Sequence, residues 1–487
     1  MLNYAIIAPM SRKTFPEVEL TLDRIIGGGQ TIGTLEDGKK CLVWGGLPGE
    51  KVRAQVTKKK SSFVEAVVTE VITPSPERIV PRDPDSYLST SPWQIMQFDA
   101  EQHYKSALIE EAFELHDIVL PTPITVYSDG VEYGYRNKVE FSFWYDTERE
   151  TLDLAFFRRG THGKITVQST SLASDAINRT GQTVLAALHQ LRIDGRTLKT
   201  LLIRNNREGQ VAWQLYVKND DFDAEALLHT VDLTNVICAE VIYSNPKSPA
   251  SVITKRLAAT SSGSLSDTIL DVPFTYATEG FFQINLPVYE QALKDMEHWV
   301  DVSTGEPLTI KSEETSAARV RQGAGALDRA RSEAVSEDFD GEKANAGVVD
   351  LYSGVGTIGL TIGGSNVTLV ESNEHAVREM QQNIAKLGKT GAKAILAPSE
   401  KALEYITSGS VVIVDPPRAG LHEDVIARLL ETTPSRIIYL SCNPVTQARD
   451  VARLAEKYGI RHHQGYNFFP RTPHIEHLVI LDKYDLI

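Results

Sequence analysis

A three-part chain is the fold class the sequence predicts: a small all-β barrel, a mixed α/β region, and a doubly wound, mostly parallel α/β sheet. Three observations carry that expectation. Residues 17 to 72 alternate apolar and polar positions in short runs punctuated by Gly27-Gly28-Gly29, Gly33, Gly38 and Gly45-Gly46, the pattern of short strands closing on themselves. From Val348 onward, strand-like runs at 348–351, 367–370, 394–396, 411–414, 437–440 and 478–481 alternate with helical stretches, as parallel strands with helical crossovers require. The third is size: 487 residues exceed one ordinary core, so two or three domains are expected.

Taken in order, residues 1–16 form a tail whose short apolar run has no basic residues ahead of it, unlike a secretory signal. Residues 17–75 make the barrel, and Thr73-Pro74-Ser75-Pro76 with Pro81 to Pro84 stiffens a linker over 76–91. The central α/β region spans 92–302 and opens on a helical segment, Asp99 to Leu115. Within it, Gly134-Tyr135-Arg136-Asn137-Lys138 leads into the alternating run Val139 to Phe143, and Glu279-Gly280-Phe281-Phe282-Gln283-Ile284-Asn285 follows later. Residues 303–346 have no apolar periodicity and carry nine acids against six bases, which reads as a mobile insertion or linker. Residues 347–487 form the doubly wound sheet.

Hydrophobic content of 42% and charged content of 23% are those of a globular chain. Only Cys41, Cys238 and Cys442 are present, so no disulfide framework is expected, and with no segment of membrane-spanning length a cytoplasmic protein is expected. A net charge of −14 argues against a uniformly basic nucleic-acid binder. The average hides local basic stretches: Lys51 and Arg53 with Lys58, Lys59 and Lys60; Arg136 with Lys138; Arg158-Arg159 with Lys164; and Arg192 to Arg207.

Three motifs bear chemistry. After the run Val348 to Leu351, Tyr352-Ser353-Gly354-Val355-Gly356-Thr357-Ile358-Gly359 has the spacing of a nucleotide-cofactor loop, and Glu371 ends the next strand where an acid can accept ribose hydroxyls. This fingerprint does not separate a nicotinamide cofactor from S-adenosylmethionine. Val411 to Val414 runs into Asp415-Pro416-Pro417-Arg418-Ala419-Gly420-Leu421, where two prolines stiffen the turn presenting Asp415. Hydride transfer has no need of that element, whereas base methyltransferases often carry an acid or amide before Pro-Pro. Finally, the run Ile437 to Leu440 ends in Ser441-Cys442-Asn443-Pro444, a thiol at the carboxyl edge of a strand, where α/β sheets place ligands.

With Phe469-Pro470-Arg471-Thr472-Pro473-His474-Ile475-Glu476, these motifs stand in the order of the RNA uracil-5-methyltransferase family, which the chain resembles along nearly its whole length. The resemblance implies a Rossmann-like methyltransferase domain with a final antiparallel strand. It implies Cys442 as nucleophile and Glu476 as general base, and S-adenosylmethionine contacts at Gln283, Tyr352, Glu371 and Asp415, with Thr357 and the loop glycines Gly354 and Gly356. His474 is a candidate to orient the Glu476 carboxylate. The stretches around Asp23-Arg24-Ile25, Cys41-Leu42-Val43 and Leu47 to Val52 resemble a TRAM domain, a small OB-like RNA-binding barrel. The partner is then RNA, ribosomal (23S) or transfer, contacted by Arg136, Lys138, Lys58, Lys59 and Lys60, and the protein is expected to be a monomer.

Many relatives hold an iron-sulfur cluster on four cysteines near the start of the central domain. Here Tyr87 to Ser91 and the region near Thr170 have none, so no cluster and no other metal is expected. Two other readings stay open: an adenine N6-type methyltransferase, which needs the acid before Pro-Pro but no thiol, and a non-catalytic RNA-binding factor that retains a vestigial cofactor fold.

Overall fold

The computed structural model describes residues 15–161, 163–261, 263–301, 308–310 and 347–486. The tail lies outside them up to residue 14, and the insertion placed at 303–346 lies outside them except for 308–310.

Strands β1 (Glu17–Ile25), β2 (Thr31–Thr34), β3 (Lys40–Trp44), β4 (Lys51–Lys59) and β5 (Phe63–Thr73) close a barrel in the order β1-β2-β3-β5-β4, with β4 pairing back onto β1. The alternation in the sequence becomes inside and outside: Leu20, Leu22, Val43, Val52, Ala54, Val64, Ala66 and Val68 fill the core. The 76–91 segment, expected to be a linker, is docked. Arg78 pairs with the buried Glu50 of the barrel and donates to Gly45 O at 2.8 Å, while Ile79 N donates to Ile95 O. The segment also contains a short helix, α1 (Tyr87–Thr90).

The central region divides between two sheets rather than forming one unit over 92–302. Helix α2 (Phe98–Glu114) carries Ile109, Ala112 and Phe113 into the core of the C-terminal sheet, and β6 (Val126–Tyr127) adds to that sheet's edge. A separate seven-stranded sheet is built from β7 (Lys138–Asp146), β8 (Thr151–Phe157), β9 (Lys164–Thr166), β10 (Leu198–Asn205), β11 (Val211–Val217), β12 (Val236–Tyr243) and β13 (Lys255–Ala259). Its order is β13-β12-β11-β10-β7-β8-β9. Helices α3 (Asp175–Gln190) and α4 (Ala224–Thr230) bury Ile177, Val184, Leu188 and Leu227 in the core of this sheet. The hairpin β14 (Leu265–Ile269) and β15 (Val272–Tyr276), followed by α5 (Leu286–Asp301), returns to the C-terminal sheet and packs Phe274, Phe282, Val288 and Leu293 in its core.

The C-terminal sheet adds β16 (Leu308–Ile310), β17 (Val348–Leu351), α6 (Thr357–Ile362), β18 (Val367–Glu371), α7 (Glu374–Leu387), β19 (Lys393–Leu396), β20 (Val411–Val414), α8 (Glu423–Thr432), β21 (Arg436–Ser441), α9 (Pro444–Leu454), β22 (Tyr458–Tyr466) and β23 (Glu476–Leu486). Its order is β19-β18-β17-β20-β21-β23-β22-β6, with β16 beside β23. The first five strands are parallel and β23 runs against β21. The strand order reverses direction between β17 and β20, which creates the crevice where open α/β sheets take ligands.

Candidate active site

Asp415 and Cys442 directly follow the parallel neighbours β20 and β21, and Glu476 opens the antiparallel β23. The register pairs Ser441 with His477 and Leu440 with Leu478, so one further step along the ladder brings Cys442 and Glu476 opposite each other. All three residues line one cavity of about 1650 Å³. The same cavity is lined by Gln283, Tyr352, Gly354, Thr357, Glu371 and Arg136.

The loop after β17 turns sharply because Tyr352, Gly354 and Gly356 all have positive φ, at 64°, 56° and 88°. A Cβ on Gly354 would meet nothing within 4 Å, so this residue offers bare backbone to the cavity. Gly356 has a different role. It begins α6 in the left-handed region, and a Cβ there would stand 2.9 Å from Leu360 Cδ1; it does not line the cavity. Glu371 accepts from Gly354 N at 3.0 Å and Asn373 N at 2.7 Å, fixing its carboxylate beside the loop. The Thr357 hydroxyl shares a 2.8 Å hydrogen bond with Tyr289 of α5.

The loops that carry Asp415 and Cys442 brace one another. Asn443 Nδ2 and Thr446 Oγ1 donate to Arg418 O at 2.8 and 3.2 Å, and Asp450 Oδ2 accepts from Leu421 N and from Tyr439 Oη. Behind them Gln447 of α9 donates to Tyr439 O and His477 O and accepts from His477 Nδ1 at 2.7 Å, lacing β21 to β23. The central motifs lock in the same way: Asn137 donates to Gln283 O at 2.9 Å, and Lys138 Nζ donates to Glu279 O at 3.1 Å.

Electrostatically the floor of the cavity is unusual. Burial and then Asp415 push the Glu476 carboxyl well above its ordinary range, and burial pushes Asp415 up to about 7. Burial, then Glu476 and Asp415, push the Cys442 thiol up to about 11, while Arg418 pulls it down. Two neighbouring carboxyls and a thiol thus resist carrying negative charge together. Cys442 also stands just before the Asn443-capped N-terminus of α9, whose backbone dipole favours a thiolate.

Other expected contacts fall elsewhere. Lys138 is spent on the backbone carbonyls of Glu279 and Gly280 behind the cavity wall, Lys58 lies 3.6 Å from Glu65 and Lys59 sits over the Phe15 ring, and none of the three side chains lines the cavity. Lys60 is exposed at the end of β4. His474 turns to Arg418, whose Nη2 donates to its Nδ1 at 2.7 Å. Sequence reasoning missed the anchor of the loop that delivers Glu476. Glu101 of α2 accepts from Arg471 N at 2.9 Å and Asn467 Nδ2 at 3.0 Å, and Lys105 donates to Asn467 Oδ1 at 2.5 Å. Their i,i+4 spacing on α2 marks a shared helical face, but nothing local says that it is buried.

A sequence model described as tRNA (uracil-5-)-methyltransferase matches residues 402–484, which contain Asp415, Cys442 and Glu476. An uncharacterized RNA methyltransferase of Nitratidesulfovibrio vulgaris is 26% identical over 484 residues, covering 96% of each chain. Another, from Halalkalibacterium halodurans, is 25% identical, with 95% of each covered. The tRNA (uracil-54, C5)-methyltransferase of Pyrococcus abyssi, solved in complex with S-adenosyl-L-homocysteine, shares the fold at a TM-score of 0.69 and 19% identity, over 95% of this chain and all of that one. Residues 402–484 are thus similar to tRNA (uracil-5-)-methyltransferases, and the chain is similar along nearly its whole length to RNA methyltransferases.

Proposed function

We propose that this enzyme transfers a methyl group from S-adenosylmethionine to C5 of a uridine in RNA, with Cys442 as nucleophile and Glu476 as base. The observation that carries the reading is the convergence of Cys442, Glu476 and Asp415 from three adjacent strand ends on the cavity that the glycine loop also lines. The residues present fit the cofactor. Neither Asp415 nor Glu476 has a salt bridge among the described residues, and each is held toward its neutral form. A sulfonium that also bears an ammonium group supplies the positive charge they lack, and Gly354, Glu371 and Gln283 offer backbone and polar groups to its nucleoside. When bound, the cofactor supplies an electrophilic methyl group.

Uracil C5 is a weak nucleophile until a thiolate adds at C6. As the Cys442 sulfur bonds to C6, the C5–C6 π pair moves toward C5 and O4, and the enolate carbon can take the methyl group. Glu476 then removes the C5 proton, the C5–C6 double bond re-forms, and the thiolate is expelled. The adenine N6 alternative would leave the thiol without work.

RNA from a strain lacking the gene, substituted with 5-fluorouridine, tests the steps. Fluorine at C5 cannot leave as a proton, so a methylated, denaturation-resistant protein–RNA adduct should accumulate and should vanish with Cys442→Ala. Glu476→Gln should hold the same adduct on ordinary uridine RNA. A wild-type enzyme that forms 5-methyluridine with no adduct on the fluorinated RNA would end this mechanism. The RNA class, ribosomal or transfer, should be reported by which fraction gains 5-methyluridine. We further propose that the closed five-stranded barrel is a TRAM-type RNA-binding module, with Lys58, Lys59 and Lys60 at the end of β4 and the following turn.

A further inference from the structure

The basic stretches sort into those used by the fold and those left over. Lys51 and Arg53 pair with Glu19, Lys58 with Glu65 and Arg207 with Glu290, while Lys138 and Lys164 donate to backbone carbonyls. At the cavity, Arg256 pairs with Glu240 and Glu279, and Arg378 with Glu374. Arg136, Arg159 and Arg418 also line it, and among the described residues none of the three has a carboxylate partner. In a chain with 64 acids against 50 bases, three guanidiniums without a carboxylate partner lining one cavity are not an accident of composition.

They are also held in place. Arg159, in the turn after β8, stacks 4.2 Å over Trp44 of the barrel and donates through Nε to Leu88 O at 2.5 Å. Arg136 donates through Nε to Lys138 O at 3.1 Å. The positive charge reaches His474, which also lines the cavity: Arg418 contacts its Nδ1 at 2.7 Å, and the imidazole is held down to about 4 by burial and then by Arg418, Lys105, Arg136 and Arg159. The acids lining the cavity include Glu371, Glu379 and Asp415 on the glycine-loop side. The cavity lining thus carries both acids, suited to a cation, and guanidiniums without a carboxylate partner, suited to an anion.

We propose that Arg136 and Arg159 clamp the RNA backbone phosphates flanking the nucleotide in the cavity, with the barrel's Trp44 pre-setting the Arg159 fork. A planar guanidinium matches two phosphate oxygens at once, and an extruded base needs its sugar-phosphate held on both sides. The proposal rests on reading the cavity as an RNA uridine site. Arg418 is left out of the test because it also stands against Cys442.

The probe is a fluorescein-labelled oligouridylate about 12 nucleotides long, titrated with S-adenosylhomocysteine at saturation over a range of salt. Arg136→Gln and Arg159→Gln should each weaken binding roughly tenfold at low salt and reduce the slope of log affinity against log salt by about 0.7, the value for one phosphate contact on a single strand. Arg159→Lys should keep most of the slope while losing the stack and fork. Affinity for S-adenosylmethionine, measured by calorimetry, should be unchanged and reports folding. Should one glutamine variant fail to fold, the other and Arg159→Lys still decide. Slopes equal to wild type in folded glutamine variants, or an Arg159→Lys slope as low as that of Arg159→Gln, would overturn the clamp. If 5-methyluridine forms and the slopes ignore both arginines, only the clamp fails; if the slopes respond and no 5-methyluridine forms, the proposed reaction fails and the clamp stands.

Discussion

At the level of single residues, the proposed reaction has two needs to reconcile: Glu476, as its base, must be ionised to take a proton, and its surroundings oppose that charge. Burial raises both Glu476 and Asp415, and a cationic cofactor relieves both. Binding S-adenosylmethionine should therefore release protons. Because Asp415 is raised to about 7 before binding, the ligand prefers its ionised form, and that group's contribution to affinity should climb as pH rises toward about 7, by up to about tenfold per pH unit, and level off above it. Calorimetry from about pH 5.5 to about pH 8.5 in buffers of different ionisation enthalpy measures this. Asp415→Asn should bind more weakly with a shallower pH dependence; a flat wild-type profile would contradict the electrostatic account. The Cys442 thiol, high in the free protein, is expected to yield its proton once cofactor charge joins Arg418 and the helix dipole.

Among elements, α9 is the one on which the others depend. It caps the Cys442 loop, supplies Asp450 to the Asp-Pro-Pro-Arg loop and, through the buried Gln447, bridges β21 and β23. Replacing Gln447 by Leu removes its hydrogen bonds to Tyr439 O, His477 O and His477 Nδ1. This should cost about 1–3 kcal/mol, seen as a lower Tm, and should lower kcat more than cofactor affinity because only the Cys442–Glu476 relation is loosened. The sequence announced the strands that end in chemistry, since each is an apolar run stopping at a polar motif. It did not announce β22, Tyr458-Gly459-Ile460-Arg461-His462-His463-Gln464-Gly465-Tyr466, whose polar residues break the alternation. His463 is buried there between His477 of β23, at 3.3 Å, and Thr122, whose carbonyl stands 2.9 Å from its Nε2, partners that no local pattern reveals. The same blindness hid Glu101 and Lys105, which look like exposed helix charges until Asn467 and Arg471 arrive from the other end of the chain.

For the molecule as a whole, a polar network fastens the segments that flank Ser89 and Thr90, which line the cavity. Asp83 accepts from Ser171 N and Ser171 Oγ, at 3.0 and 2.8 Å, and from Gln94 Nε2 at 3.0 Å; Gln94 Nε2 also reaches Ser91 Oγ at 2.6 Å. These are the segments in which the sequence lacks the cysteines of cluster-bearing relatives, and hydrogen bonds join them directly. Asp83→Ala removes the shared acceptor and should cost about 1–3 kcal/mol, with faster proteolysis between the barrel and α2. Wild-type activity should be indifferent to air and to iron chelators; sensitivity to either would contradict this assignment of the fastening.

The barrel is drawn into the same framework. Gly29 lies so close to the loop before Glu476 that a Cβ on it would stand 2.1 Å from Pro473 Cβ, and its carbonyl accepts from Trp93 Nε1 at 3.1 Å. A module seated directly on the loop that leads to Glu476, the proposed base, cannot swing on a tether. Any nucleotide gripped by the barrel and the uridine at Cys442 would then lie a fixed distance apart, so the enzyme would act as a ruler, choosing its target by how far it lies from a second point on the folded RNA.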